Sequence, residues 1–321
     1  MIVVVGGAVM DLKMQTIRAA TLRTSNPARA SWTPGGVGRN IAENLARLGS
    51  PVHLVAAVGT DPQGHALLER TSDAGVGVGH VIRTTAPTGL YCAVVDNSGE
   101  LVLGVSDLHS TDDLTVEDLT AHHSLVHAAS LLVVDGNLPA TVVAHLLDLA
   151  ASAAVPVVID PVSVRKATLL RDALGSARPV HTLTPNLDEL AALVDHPVTD
   201  EPAALAAAAD ALHARGVSHV WVRRGSHGSV LFARGSSPVA YAAPPATVVD
   251  VTGAGDSMTA GYVHALGATG DVAYAAGYGQ ALASLTVESL STVRPDLTPA
   301  LVATRLAAGL PRNPITDERH P

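Results

Sequence analysis

From about residue 111 onward the chain repeats one pattern: a short apolar run, a polar cluster, then apolar positions at helical spacing. "SLLVVDGN" predicts a buried strand, followed by a helix with Val143, Leu146, Leu147 and Ala150 on one face. "VPVVIDPVS" predicts the next strand, "HTLTPNLDELAAL" a strand running into a helix, and "SHVWVRRGSHG" a strand running into a turn. Wholly apolar strands that alternate with helices signify a parallel sheet covered on both faces. Each strand ends in polar residues: Asp135 and Asn137, Asp160, Asn186, then Arg223 and Arg224. Ligands of open α/β sheets bind beyond the carboxyl ends of the strands. These residues therefore predict one rim, and that rim is the expected active site.

Two stretches break the rhythm. "TGLYCAVVDNSGELVLGVSD" reads as two β runs joined by a hairpin signal, "DNSG". "LKMQTIRAATLRTSNPARASW" has no helical stripe. Both, over 12–33 and 87–108, are expected to be antiparallel strands of a small lid on a single domain spanning 1–321. The tail "GLPRNPITDERHP" is polar and proline-punctuated, and is expected to lie loosely on the surface.

Two predicted helices open on glycines. In "TPGGVGRNIAENLARLG" the stripe Ile41, Leu45 and Leu48 follows Gly35, Gly36 and Gly38; in "DVTGAGDSMTAGY" Met258, Tyr262 and Leu266 follow Gly253 and Gly255. A glycine-rich start leaves N–H groups uncovered at the positive end of a helix, a common way to hold anions. Gly253, Ala254 and Gly255 offer a concave set of donors for developing negative charge. Asp256 follows in the first turn. A carboxylate there repels a phosphate, yet suits taking a proton from a hydroxyl that attacks one. The plainer reading is a capping Asp beside a tight turn. In the first stretch Gly36 permits close backbone approach, Asn40 can bridge paired hydroxyls, and Asp11 is an acceptor for a diol. Arg39 and Glu43, four residues apart, read as a surface ion pair.

Asn186 and Glu189 lie one helical turn apart in "TPNLDEL". Such a pair can hold the water shell of a magnesium ion, or simply cap the helix. "RRGSHG" can bring Arg223 or Arg224 to phosphates, with Gly225 and Gly228 allowing close approach, or form a solvated turn.

Composition narrows the classes. The 321 residues are enough for one large α/β domain or two small ones, and 47% are apolar against 15% charged, so a sizeable core can form. Aromatics are only 2%, which leaves that core to Ala, Val and Leu. A net charge of -9 argues against a nucleic-acid surface. The single Cys92 rules out an intrachain disulfide and fits a reducing compartment; within "YCAVV" it reads as a packed thiol. "MIVVVGGAVMD" lacks a basic leader and reaches Asp11 too soon for a signal peptide, and no run is as long as a membrane span. A soluble, cytoplasmic protein is expected. The 15 histidines show no metal spacing, and neither HExxH nor CxxC occurs, so a zinc enzyme is disfavoured. No GxGxxG follows a strand and there is no GxxxxGK[ST], which removes the Rossmann and P-loop readings.

Taken together these residues resemble the ribokinase-type (pfkB) carbohydrate and nucleoside kinases over nearly the whole chain. "GGVGRN", "VGTDPQGHALLERTSDAGV", "TPNLDEL" and "DVTGAGD" carry the likeness, in that order. It implies an α/β fold: a ribokinase-like three-layer α/β/α sandwich with a mostly parallel central sheet and a small antiparallel β lid. It also implies an ATP-dependent phosphotransferase in which Asp256 deprotonates the acceptor hydroxyl while Gly253, Ala254 and Gly255 stabilise the transferring phosphoryl. Asp11, Gly35, Gly36, Asn40 and Asn137 would grip the acceptor. Asn186 and Glu189 would organise ATP with magnesium (Mg2+), and Arg223, Gly225 and Gly228 would border the nucleotide. Arg223 stands where relatives often carry Thr in a Thr-x-Gly-x-x-Gly turn. Asp250 and Thr252 are candidates for the potassium (K+) site found in many relatives.

A narrower set, "PGGVGRNIAENLARLG", "VVDNSGELVLGVSDL", "DGNL", "IDPVSVRKA" and "SLTVESLSTVRPDLT", is similar to the pseudouridine kinases within that family. This implies 5′-phosphorylation of a C-nucleoside, with Ser106 and Asp107 at the edge of the uracil and Lys166 for a phosphate or a structural ion pair. The rival acceptors are ribose, adenosine or another nucleoside, and fructose. A non-catalytic nucleoside-binding protein is a rival of another class, opposed by the intact Asp256 loop. A pyridoxal- or hydroxymethylpyrimidine-type kinase is disfavoured by "GGVGRN" and the two lid segments. The implied partner is a small molecule, without nucleic acid or membrane, and a homodimer through the lid is compatible with the pattern.

Overall fold

The runs Ile2–Val5 (β1), Leu131–Asp135 (β9) and Val157–Asp160 (β10) are buried at every position. Such strands need cover on both faces, and they lie at the centre of the sheet. The computed structural model describes residues 1–308 and the backbone of Arg312–Asn313 (β15). The rest of the tail expected to lie loosely on the surface falls outside the described residues.

The main sheet has the order β15-β14-β13-β12-β11-β10-β9-β1-β4. Its other members are Val52–Val55 (β4), Val180–Leu183 (β11), Val217–Arg223 (β12), Ser229–Ala233 (β13) and Val239–Tyr241 (β14). Pairing is parallel from β4 through β12 and antiparallel from β12 to β15. The register sets Asp135 of β9 directly beside Asp160 of β10. An isolated bridge joins Asn186 to Arg223 at the same end. The rim read from the polar strand ends is therefore a physical edge.

Helices cover the two faces. One core contains Val143, Leu146 and Leu147 of α5 (Ala140–Ser152), Leu190 of α7 (Leu187–Val194) and Leu205 of α8 (Pro202–Ala214). The other contains Ile41 and Leu45 of α1 (Val37–Arg47), Leu67 of α2 (Pro62–Asp73), Met258 and Tyr262 of α9 (Ala254–Thr269), and Leu282 of α10 (Val272–Thr286). Val302 of α11 (Pro299–Ala307) joins the second core. The short helices α3 (His109–Asp112), α4 (His123–His127) and α6 (Val164–Leu170) complete the set. Ala, Val and Leu make up most of both cores, with Trp221 and Tyr262 stacked at 5.1 Å as a bulky exception. Among the described residues no helix is long and apolar enough to cross a membrane.

The two arrhythmic stretches form a second sheet, β3-β2-β7-β8, from Val9–Thr16 (β2), Ala28–Gly35 (β3), Leu90–Val95 (β7) and Leu101–Asp107 (β8). Both hairpins are antiparallel, and β2 meets β7 in parallel at the middle. β2 and β3 overrun the expected 12–33, whereas β7 and β8 lie within 87–108. Val9 and Met10 are still buried, so β2 starts in the core before it projects. Ala57–Gly59 (β5) and Ile82–Thr84 (β6) form a separate parallel pair.

Candidate active site

The side expected to take the acceptor is built where β1 gives way to Gly6, Gly7 and α1. Gly36, the N-cap of α1, has φ 93°. A Cβ there would also collide with the Gly7 carbonyl, so conformation and space both demand glycine. Gly35 is bare for another reason: the Asp11 carboxyl occupies the space a side chain would fill. Asp135 staples the region together. Its Oδ2 accepts the N–H groups of Gly7 (2.8 Å) and Gly38 (2.7 Å), and its Oδ1 that of Asn137 (2.9 Å). Burial pushes this carboxyl up, and the three N–H bonds oppose that.

The surface pair expected of Arg39 and Glu43 is not at the surface. Arg39 is 2% exposed and Glu43 9%. Spacing on a helix tells which residues meet, but not which way the pair faces. Here α1 is packed between the sheet and α9, and residues 38–45 are all buried. The Arg39 guanidinium donates to the Gly35 carbonyl (3.1 Å), to Glu43 Oε2 and to Asn40 Oδ1. Asn40 Nδ2 in turn donates to Asp256 Oδ2 at 2.6 Å, joining α1 to α9.

Asp256 is brought there by the second glycine turn. Gly253, the N-cap of α9, has φ 80°, and a Cβ would strike the Thr292 carbonyl. The Ala254 N–H turns back to the Val251 carbonyl (3.2 Å). The N–H groups of Gly253, Gly255 and Asp256 find no acceptor among the described residues. Burial pushes Asp256 to about 7; nearby Asp160 and Asp135 act the same way, while the Asn40 bond and Arg223 oppose. Asp11 is likewise pushed by burial to about 6, with Arg39 opposing.

On the other side of Asp256 lies a cavity of about 700 Å³. One wall is apolar, from Ala243, Pro244, Pro245, Val248, Ala283 and Val287. Its polar lining comes from Asn186, Glu189 and Arg223, with Gly225 and Gly228 beside them. Arg223 donates to Asp160 Oδ2 (2.9 Å) and Glu189 Oε2 (3.0 Å). Arg224 turns away and pairs with Asp200 (2.9 Å), so only one of the two arginines enters the site. Asn186 and Glu189 form a complete capping box, with Asn186 Oδ1 accepting from Glu189 N (2.8 Å) and Glu189 Oε2 from Asn186 N (2.9 Å). Burial raises the Glu189 carboxyl and Arg223 pulls it back.

The remaining candidates are distributed more widely. Ser106, Asp107, Asn137 and Lys166 line a separate pocket of about 450 Å³. Asp107 bonds with His109, and Lys166 forms an ion pair with Asp112 (3.0 Å), the structural alternative for that lysine. Asn137 links this pocket to the glycine turns around Asp135, because it packs against Gly7. Asp250 Oδ1 accepts the Thr252 N–H (2.8 Å) on the loop before α9. Asp160 was legible only as a strand end. It is 2% exposed and also accepts from Thr259 (3.1 Å) and the Val162 N–H (2.9 Å), so it anchors Arg223 beneath the cavity.

Among the described residues, no three His, Cys, Asp or Glu are grouped to hold a metal ion. The fit is to a magnesium that keeps its waters. Both bonds to the Glu189 carboxylate fall on Oε2, so Oε1 has no bond among the described residues, and Glu189 and Asn186 both line the cavity.

A mostly parallel sheet between helices, an attached four-stranded sheet and a glycine-opened helix that presents a carboxylate together define a ribokinase-like kinase. Residues 1–299 match the model of the pfkB family of carbohydrate kinases, and the chain belongs to that family. A pseudouridine kinase of Escherichia coli (strain K12) is 34% identical over 303 residues, which cover 94% of this chain and 95% of that protein. Among solved structures, a carbohydrate kinase from Agrobacterium tumefaciens has a TM-score of 0.84 at 30% identity, covering 97% of this chain and 98% of that one. Arabidopsis thaliana ribokinase, complexed with ribose and ATP, has a TM-score of 0.81 at 25% identity, covering 95% and 98%. The enzyme is an ATP-dependent sugar or nucleoside kinase.

Proposed function

We propose that the enzyme phosphorylates the 5′-hydroxyl of pseudouridine with ATP, and that Asp256 is the general base. The observation that carries the base assignment is the position of Asp256. Its carboxylate is held by Asn40 from the acceptor side and borders the large cavity on the other. The pseudouridine reading draws its support from the similarity to a pseudouridine kinase along 94% of the chain.

In this scheme the acceptor hydroxyl lies against Asp256 Oδ1, since Oδ2 is taken by Asn40. Asp256 accepts the proton as the hydroxyl oxygen bonds to the γ-phosphorus, the bond to the β–γ bridging oxygen breaks, and ADP leaves. The open N–H groups of Gly253 and Gly255 at the start of α9 face the charge that develops on the phosphoryl oxygens. Ala254 contributes wall rather than a donor, because its N–H is engaged. Arg223 fixes the position of the Glu189 carboxylate and adds positive charge beside the phosphates. Magnesium, when bound with ATP, neutralises the β- and γ-phosphates, and its waters would be held by Glu189 and Asn186. Asp11, Gly35, Gly36 and Asn137 bound the sugar, Gly225 and Gly228 the nucleotide, and Ser106 and Asp107 the base. Asp250 and Thr252 are the candidates for a potassium ion.

The test is a phosphorylation screen with ATP across pseudouridine, uridine, adenosine, ribose and fructose. Pseudouridine is expected to give the highest kcat/KM. A preference for free ribose or fructose would overturn the acceptor assignment and leave the kinase class intact. Ribose is the second reading because the similar Arabidopsis structure is complexed with it.

A further inference from the structure

We infer that Arg39 is a positioning residue of the phosphoryl-transfer site: it fixes the side-chain amide of Asn40 so that this amide donates to Asp256. The inference rests on the general-base reading of Asp256.

A guanidinium can only donate hydrogen bonds. The atom of Asn40 that faces Arg39 Nη2 must therefore be the carbonyl Oδ1, and the atom that faces Asp256 must be the NH2 group. Without Arg39 the amide is free to turn over. Oδ1 would then meet the Asp256 carboxylate, two acceptors in contact, and that contact is relieved only when Asp256 holds a proton. A protonated Asp256 cannot accept one from the substrate. Arg39 is itself held in place, by Glu43 Oε2, by the Gly35 carbonyl, and through Glu43 Oε1 by Arg47 (2.7 Å). The chain Arg47–Glu43–Arg39–Asn40–Asp256 thus runs along α1 from its outer end to the reacting groups. Arg39 is buried, so its charge is felt by Asp11 as well as by Asp256.

The other charged groups around Asp256 come from different elements. Asp160 on β10 and Asp135 on β9 disfavour its ionised form, and Arg223 on β12 favours it. Arg39 differs from Arg223 in reaching Asp256 by a hydrogen bond through a neutral amide as well as by its charge. Its loss should therefore be felt at the base and little at the nucleotide cavity, which it does not line.

The test compares Arg39→Met, Arg39→Lys and Glu43→Gln in the full chain, using the acceptor that the wild type phosphorylates best. Folding is checked by thermal melting. Arg39→Met is expected to lower kcat at pH 7 by about tenfold or more. The acid limb of its pH–kcat profile should move up by about one pH unit, and the KM for ATP should stay within about twofold. Arg39→Lys, with one ammonium in place of the fork, should recover part of the loss. Glu43→Gln keeps one oxygen acceptor for the arginines and should move the limb less than Arg39→Met does. A folded Arg39→Met enzyme with a wild-type acid limb would overturn the inference. So would Glu43→Gln moving the limb as far as Arg39→Met, because the effect would then follow the ion pair and not the amide. If the methionine variant does not fold, Arg39→Lys decides: a lower kcat with a displaced limb supports the role, and a wild-type kcat and limb overturn it. Near-normal turnover by Asp256→Asn would instead remove the base assignment itself.

Discussion

Asp256→Asn should make the enzyme more stable as it makes it inactive. In the folded protein Asp256 ionises at about 7, against an ordinary value of 3.8. The raised value means that the folded state holds its proton more tightly than the unfolded chain does. The associated stability is fully present below about pH 3.8 and is lost as pH rises toward 7. Roughly three pKa units at about 1.4 kcal/mol each set a ceiling of about 4 kcal/mol at neutral pH. The carboxyl opens onto the cavity, where water reaches it, so about 2 kcal/mol is the expected gain on removing the charge. Asparagine keeps an oxygen acceptor for Asn40 and nearly the same volume. Urea unfolding of both proteins at pH 5, 6, 7 and 8 should show a difference that widens up to about pH 7 and then levels. Over the same range kcat of the variant should lie about 10²- to 10⁴-fold below wild type, with acceptor and ATP binding retained. A stability difference flat with pH, or a variant less stable than wild type at pH 8, would refute the placement of an uncompensated carboxylate at this site.

Arg223→Met strands the buried carboxyls of Asp160 and Glu189, and should cost about 3–5 kcal/mol in denaturant unfolding together with a raised KM for ATP; a loss under about 1 kcal/mol contradicts the ion-pair account. Gly36→Ala meets both a φ of 93° and the Gly7 carbonyl, so a loss of at least about 1–3 kcal/mol and weaker acceptor binding should appear in melts and calorimetry. Uridine lacks one N–H donor of pseudouridine and should be about 10- to 100-fold poorer in kcat/KM; Asp107→Ala should narrow that gap, and an unchanged ratio removes Asp107 from base recognition. Amide exchange over β7 and β8 should slow when acceptor is added if the second sheet closes over the sugar; identical exchange at saturation argues against a lid.

The strand-and-helix rhythm was legible because burial on both faces writes itself as uninterrupted apolar runs, as in Leu131–Asp135. The two glycine-opened helices were legible for a related reason: positions such as Gly36 and Gly253 admit no side chain, so the constraint is visible in the residue itself. Arg39 shows where such reading stops. Its pairing with Glu43 follows from spacing along one helix, but its burial depends on α9, more than two hundred residues later in the chain. Asp160 is similar. It reads as the polar end of a strand, and only the lateral register with β9 and the reach of Arg223 from β12 make it part of the site. Asn186 and Glu189 meet as the capping box that their spacing allows, and what lay beyond the sequence was Arg223 bonding to one of the glutamate oxygens.

The staple made by Asp135 also bears on the order in which the molecule can assemble. β1 is an interior strand, bordered by β4 on one side and by β9 on the other. Until residue 135 has left the ribosome, β1 has only one neighbour, and the N–H groups of Gly7 and Gly38 lack the carboxylate that receives them. The first hundred or so residues thus contain the glycine segments at 6–7 and 35–38 without the carboxylate that shapes them. A nascent chain halted before β9 should leave these glycine segments open to proteolysis, and extension past Asn137 should close them.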